Sequence, residues 1–210
     1  KTQTVKILVM GDSISAEYGL KRGTGWVALL ESRMAESVNW NEKPKAGSKN
    51  TQNATKSIAP QAVNTPATGQ NSIKLLPNFS IVNASISGET TAGGRSRLAA
   101  LLTLHKPSHV IIELGANDAL RGLPVAVAQS NLNAMTQMAL QSGAKVLIVG
   151  MQIPPNYGQD YTQQFSAVFG NVVKANQSAK TKTNNAVALV PFMLKGVADS
   201  PEYLKLFQAD

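Results

Sequence analysis

Ser13, Gly88 and Asn117 are the residues of this 210-residue chain whose types and settings could carry acyl transfer. Ser13 stands in Gly11-Asp12-Ser13, directly after the apolar run Val5-Lys6-Ile7-Leu8-Val9-Met10. Such a run reads as a short buried parallel strand, and Gly11 permits a sharp turn at its end. Beyond the carboxyl ends of strands in an open α/β sheet is where ligands and reacting groups collect. Gly88 and Asn117 follow two more runs of this kind, Phe79-Ser80-Ile81-Val82-Asn83 and Val110-Ile111-Ile112-Glu113-Leu114. In a parallel sheet these ends share one side, so the three residues can converge. A serine hydroxyl there attacks a carbonyl, and the oxyanion that forms needs preorganised donors. The N–H groups of Ser13 and Gly88 and the Asn117 amide would supply three. Taken singly, each residue has an ordinary explanation as a helix cap, a turn glycine or an Asx-turn.

The elements that must position them alternate strand with helix. Trp26, Val27, Leu29, Leu30 and Met34 share one helical face, and Asn39 to Asn41 ends that helix. Arg95 to Leu104 reads as a second helix, with Leu98, Leu101 and Leu102 inward. Pro124 is placed to open a third, running to Gln141 with Gly143 as its stop. Val146 to Gly150 is a fourth strand, Tyr161 to Ala179 a further helix, and Ala186 to Val190 a weak fifth strand. Short helical turns are expected at Met193–Val197 and Pro201–Phe207. The expected fold is α/β, a three-layer doubly wound sandwich on a five-stranded parallel sheet of flavodoxin-like order.

The bulk properties suit one domain spanning 1–210, with 43% hydrophobic residues. From about Glu42 to Ser72 periodicity disappears, and Ile58 and Val63 are almost the only large apolar residues. That stretch reads as a flexible insertion, locally basic through Lys43, Lys45, Lys49 and Lys56. Cysteine is absent, which excludes disulfides and thiolate metal sites. No apolar run approaches the roughly 18 residues that span a bilayer, so no stable membrane insertion is expected. The net charge is +8 with a pI near 9.8, yet the basic residues are scattered without aromatic interleaving. A solvated basic face is therefore preferred to a nucleic-acid partner. The chain opens on Lys1 without an initiator Met or a charged-then-apolar leader, as expected of one that begins at a processing site or at an artificial boundary.

Three blocks together resemble the SGNH (GDSL) hydrolases, and within them the periplasmic thioesterase I/lysophospholipase and arylesterase group. They are Gly11-Asp12-Ser13-Ile14-Ser15, Asn83-Ala84-Ser85-Ile86-Ser87-Gly88-Glu89-Thr90 and Gly115-Ala116-Asn117-Asp118-Ala119-Leu120-Arg121-Gly122. Ile153-Pro154-Pro155-Asn156-Tyr157-Gly158 is similar to the loop bordering the acyl site in that group. The resemblance implies that Ser13 is the nucleophile, that Gly88 and Asn117 complete the oxyanion hole, and that Ile153 and Pro154 lie against the acyl chain. It implies no metal and no organic cofactor, a small acyl ester or lipid substrate, and a periplasmic or secreted location.

One block departs from the pattern. The family closes on Asp-x-x-His, in which His is the general base and Asp orients it. Here the sequence ends at Asp210, the candidate for that Asp, and offers only His105 and His109, which flank Pro107 ahead of the third strand. The chain as given thus lacks its base, implying a missing C-terminal segment and an inactive form. The leading expectation is a serine esterase or thioesterase acting through an acyl-enzyme on short-to-medium acyl esters, aryl esters or lysophospholipids. A non-catalytic acyl- or glycan-binding relative and a carbohydrate O-acetyl esterase stand as alternatives.

Overall fold

The computed structural model describes residues 4–40, 78–177 and 186–196. The insertion expected at 42–72, the helical turn at 201–207 and Asp210 lie outside the described residues. Five strands form one sheet: β1 (Thr4–Gly11), β2 (Asn78–Asn83), β3 (His109–Glu113), β4 (Lys145–Val149) and β5 (Val187–Val190). They lie side by side in the order β2-β1-β3-β4-β5, and every pair is parallel. This is the flavodoxin-like order expected from the alternation of runs, because each parallel neighbour requires a crossover element between them.

Period-two alternation assigns each strand's side chains to two layers. Leu8 and Met10 of β1, Val110 and Ile112 of β3, and Val146 and Ile148 of β4 face α2 (Thr91–His105), α4 (Val125–Gln141) and α5 (Gln159–Gln177). Leu98, Leu132, Met135, Phe165 and Phe169 complete that layer, all buried. Ile7, Val9, Ile111 and Val149 face the other way, against Val27 of α1 (Trp26–Trp40) with Trp26, Leu30 and Met34 beside it. On this second face an apolar cavity of about 460 Å³ opens at the amino half of the sheet, between Ile7, Met34, Phe79, Ile111 and Leu147. Ser13 does not line it.

Two local differences from the sequence reading have physical causes. α2 begins at Thr91 rather than Arg95, because Thr90 caps it by accepting the Gly93 N–H at 3.4 Å. The pair Gly93-Gly94 has low helix propensity and hid this first turn. Gly94 is there for space: a Cβ would come within 2.4 Å of Leu114 Cδ1. The polar stretch after β3 contains a further short helix, α3 (Ala116–Leu120), whose five residues are too few to show a period.

Leu132 is fully buried between α4 and the sheet. Leu132→Ala is expected to lower unfolding free energy by about 2–5 kcal/mol through loss of transfer energy and an unfilled cavity. Urea denaturation with an unchanged m-value measures this.

Candidate active site

Ser13 is the second residue past β1 and sits half-buried in the turn that follows. The turn is closed by backbone bonds from Ala16 N–H to the Asp12 carbonyl at 2.9 Å and from Tyr18 N–H to the Ser13 carbonyl at 3.1 Å. Before Ser13, the buried Asp12 uses one carboxylate oxygen to accept the Ile14 N–H at 3.0 Å. After it, the buried Ser15 is tied to three other elements. Its hydroxyl donates to Glu113 Oε2 at 2.7 Å and accepts from Trp26 Nε1 at 3.1 Å, while its carbonyl accepts from Asn83 Nδ2 at 2.8 Å.

Gly88 follows β2 with φ +76°, a backbone state that glycine adopts without a Cβ penalty. Its carbonyl accepts from Arg121 Nη2 at 2.9 Å. Asn117 is carried by α3, which Gly115 opens at φ +125° with the Phe165 and Phe169 rings packed close beneath. The Asn117 amide nitrogen donates to Asp12 Oδ2 and to the Glu89 carbonyl, each at 3.1 Å. It thereby touches the residue before Ser13 and the residue after Gly88. The structure brings the three sequence-predicted residues to one edge of the sheet. Both hydrogens of that amide are already engaged, so an oxyanion reaching it must share or displace one of these acceptors.

Behind Asn117, the buried Asp118 locks α3 to the start of α2. It accepts the Thr91 N–H at 2.8 Å and the Thr91 hydroxyl at 2.6 Å. Asn131 of α4 donates to the same hydroxyl at 3.1 Å and is held by Arg95 Nη1 at 3.1 Å. Glu89 is pinned by Arg97, Nε to Oε2 at 2.6 Å. The loops bearing Gly88 and Asn117 are thus fixed to one another through buried side chains.

Two carboxyl groups on the floor of the site are displaced from their ordinary range. Burial pushes Glu113 up to about 8, with the neighbouring Asp12 charge adding to it; the Ser15 hydroxyl and Asp12 N–H oppose the rise. Burial likewise raises Asp12, against the pull of the Ile14 N–H. Both histidines stand at the other edge. His105 ends α2, and His109 opens β3 with its Nδ1 3.0 Å from the Ser108 hydroxyl. Burial and then Lys145 hold His109 below its usual value. Neither can reach Ser13.

Ile153 and Pro154 follow β4 at the same edge as Ser13. Ile153 is buried in the α2/α4/α5 layer, while Pro154 is exposed at the head of a 3-10 turn over Pro155–Tyr157. Asp210 lies outside the described residues. The sequence reading missed Asp12, Ser15, Trp26, Asp118 and Glu113 as members of the site. Glu113 carried a usable signal: an acid inside an otherwise apolar strand run is rarely buried without partners.

Residues 69–207 match the GDSL-like Lipase/Acylhydrolase family. The chain belongs to that family. The Esterase TesA of Pseudomonas aeruginosa is 43% identical over 91% of this chain and 72% of its own length. The Thioesterase 1/protease 1/lysophospholipase L1 of Escherichia coli K12 is 29% identical over 95% of this chain and 72% of its own. A crystal structure of TesA superimposes with a TM-score of 0.71 at 40% identity, covering 97% of this chain and 86% of that one. This GDSL hydrolase therefore shares its fold with a solved TesA structure and much of its sequence with proteins named as an esterase and a thioesterase.

Asp118→Ala leaves the Thr91 N–H and hydroxyl without their buried acceptor. A loss of about 1–3 kcal/mol in stability is expected from such unsatisfied groups. Thermal denaturation of the GDSL hydrolase and its variant checks it, with Asp118→Asn, which keeps one acceptor, falling between.

Proposed function

We propose that this GDSL hydrolase cleaves acyl esters and thioesters of small or lipid substrates through an acyl-enzyme on Ser13. In the first step Ser13 Oγ bonds to the carbonyl carbon and its proton passes to a general base. The tetrahedral oxyanion takes hydrogen bonds from the N–H groups of Ser13 and Gly88 and from the Asn117 amide. Its collapse breaks the bond to the alcohol or thiol, which leaves with the proton held by the base. Water then attacks the acyl-enzyme and gives a proton to the base, and the second collapse releases the carboxylic acid and returns that proton to Ser13 Oγ. The reading needs neither metal nor organic cofactor. With Ser13 as nucleophile, Asn117 serves a double purpose: it holds Asp12 and Glu89 in the resting site and offers one of those hydrogens to the oxyanion. Neither His105 nor His109 is the base, since both stand at the far edge.

The observation that carries the choice of substrate is the apolar rim of the site. Among the described residues, six of the ten exposed large apolar side chains stand on the segments that follow β1 to β4 at the carboxyl edge. They are Tyr18 and Leu20 after β1, Ile86 after β2, Leu120 and Leu123 after β3, and Tyr157 after β4. A rim of this kind favours acyl chains and aromatic leaving groups over a sugar acetate, whose recognition asks for polar donors. Pro154, exposed next to Tyr157, would border the acyl chain; Ile153 would support that wall from within. No helix among the described residues is long and apolar enough to cross a membrane. We place the enzyme in the periplasm or outside the cell and treat 1–210 as one hydrolase domain.

Ser13→Ala in the protein as its gene encodes it is expected to remove nearly all hydrolysis of p-nitrophenyl esters, since nucleophile and base act as a unit. Turnover within tenfold of wild type would displace Ser13 from the role. Asn117→Ala is expected to lower kcat by about 10²–10³ with little change in KM. A series of acyl lengths on the same leaving group then reads the preferred chain, and a preference for acetyl over every longer chain would reject the apolar-rim argument.

A further inference from the structure

Glu113 is fully buried at the last position of β3, and in the β1–β3 register it lies directly across from Gly11. Its Oε2 accepts the Ser15 hydroxyl at 2.7 Å and faces the Asp12 N–H at 3.4 Å. Those two residues bracket Ser13 in the chain. We propose that Glu113 is a positioning residue for the nucleophile: its carboxyl group clamps Asp12 and Ser15 from beneath and so fixes where Ser13 Oγ points. The proposal rests on the reading of Ser13 as the nucleophile.

Gly11 supplies an independent mark of this clamp. Its φ is not positive, so the turn does not demand glycine there. Space does. A Cβ at Gly11 would lie 2.5 Å from Ser15 Oγ and 2.8 Å from Glu113 Oε2, in the path of the bond between them. Ser15 Cβ, also 2.5 Å from that position, closes the space as well, so glycine here is what lets Ser15 seat against Glu113. The clamp also has a second anchor, because Ser15 Oγ accepts from Trp26 Nε1 at 3.1 Å. Glu113, Ser15 and Trp26 thus join β3, the nucleophile turn and α1.

The clamp works as a neutral group. The buried Glu113 Oε1 has no hydrogen-bond partner among the described residues, so an ionised carboxylate would leave one charged oxygen uncompensated. Among the described residues the titratable group acting on it is Asp12; its hydrogen-bond partners, the Ser15 hydroxyl and the Asp12 N–H, are uncharged donors. With its value pushed up to about 8, Glu113 holds its proton at neutral pH and still accepts through Oε2. An acceptor without charge beneath Ser13 fixes the turn without repelling the oxyanion that forms above it.

The sign for stability follows from linkage. Below the ordinary value of 4.5 both folded and unfolded chains hold the Glu113 proton, and its contribution is fully present. Between 4.5 and about 8 only the folded chain holds it, so stability falls as pH rises. Above that window both states are ionised and the slope ends.

The experiment compares wild type, Glu113→Gln, Glu113→Ala and Ser15→Ala in the protein as its gene encodes it. Three quantities are read: kcat and KM on a p-nitrophenyl ester, Tm from pH 4 to 9, and labelling of Ser13 by a fluorophosphonate, located by mass. Glu113→Ala is expected to lower kcat by about 10–100-fold with KM held, the cost of a misplaced reacting group. Glu113→Gln keeps a carbonyl acceptor and is expected to recover most of that loss. It is also expected to show a shallower fall of Tm with rising pH than wild type. If Glu113→Ala does not fold, Ser15→Ala cuts the same bond from the other end and is expected to lower kcat with KM held. Wild-type kcat in a folded Glu113→Ala or in Ser15→Ala overturns the proposal. So does a Gln variant as impaired as Ala, or one with the wild-type Tm slope. Wild-type protein unlabelled at Ser13 and an active Ser13→Ala would instead bring down the nucleophile reading, and the clamp with it.

Discussion

The site depends on one side-chain amide. Asn117 Nδ2 donates both to Asp12 and to the Glu89 carbonyl, and so ties together the loops that leave β1, β2 and β3. The parallel sheet makes this possible, because it places all three carboxyl ends at one edge within reach of a short side chain. Each neighbouring feature then supports the amide. Gly115 turns the chain so that α3 presents Asn117, and Asp118 fixes α3 to the start of α2. The Arg97 contact holds Glu89 and with it the carbonyl that Asn117 engages.

Three buried acids surround this point, and their environments give them different tasks. Asp118 has both oxygens bound by Thr91 and acts as a structural lock. Asp12 divides its oxygens between the Ile14 N–H and Asn117, so it orders the Ser13 turn and the Asn117 amide together. Glu113 has one oxygen occupied and the other unpartnered, which is an arrangement that favours a proton over a charge. Polar groups this deep require near-complete satisfaction. Of these three acids, among the described residues, Glu113 alone has an unmet oxygen, which makes its protonation state the one that matters.

The edge that carries the polar site also carries apolar side chains. Tyr18, Leu20, Ile86, Leu120, Leu123 and Tyr157 are exposed on the segments that leave the carboxyl ends of the strands. A polar centre within an apolar rim suits a substrate with a reactive carbonyl attached to a hydrocarbon. The amino edge differs: its cavity is apolar, and His109 beside it is held below its usual value by burial and then Lys145.

The chain's five apolar runs settle the α/β class, and their alternation with helical patterns settles a parallel sheet. Run length and the shared edge were enough to bring Ser13, Gly88 and Asn117 together on paper, since period-two burial and parallel pairing are consequences of local composition. The motif blocks carried the family. What local composition could not express was the set of contacts between residues about a hundred positions apart. Glu113 reads in sequence as the odd member of a strand; only pairing with β1 sets it beneath Ser15 and across from Gly11. Gly11 reads as a turn residue; only the packed structure shows that it leaves room for that bond. The same holds for Asp118, whose partners come from α2. Such groups are chosen by burial and by the hydrogen bonds that burial makes obligatory, and both exist only once the sheet and its helices have closed on them.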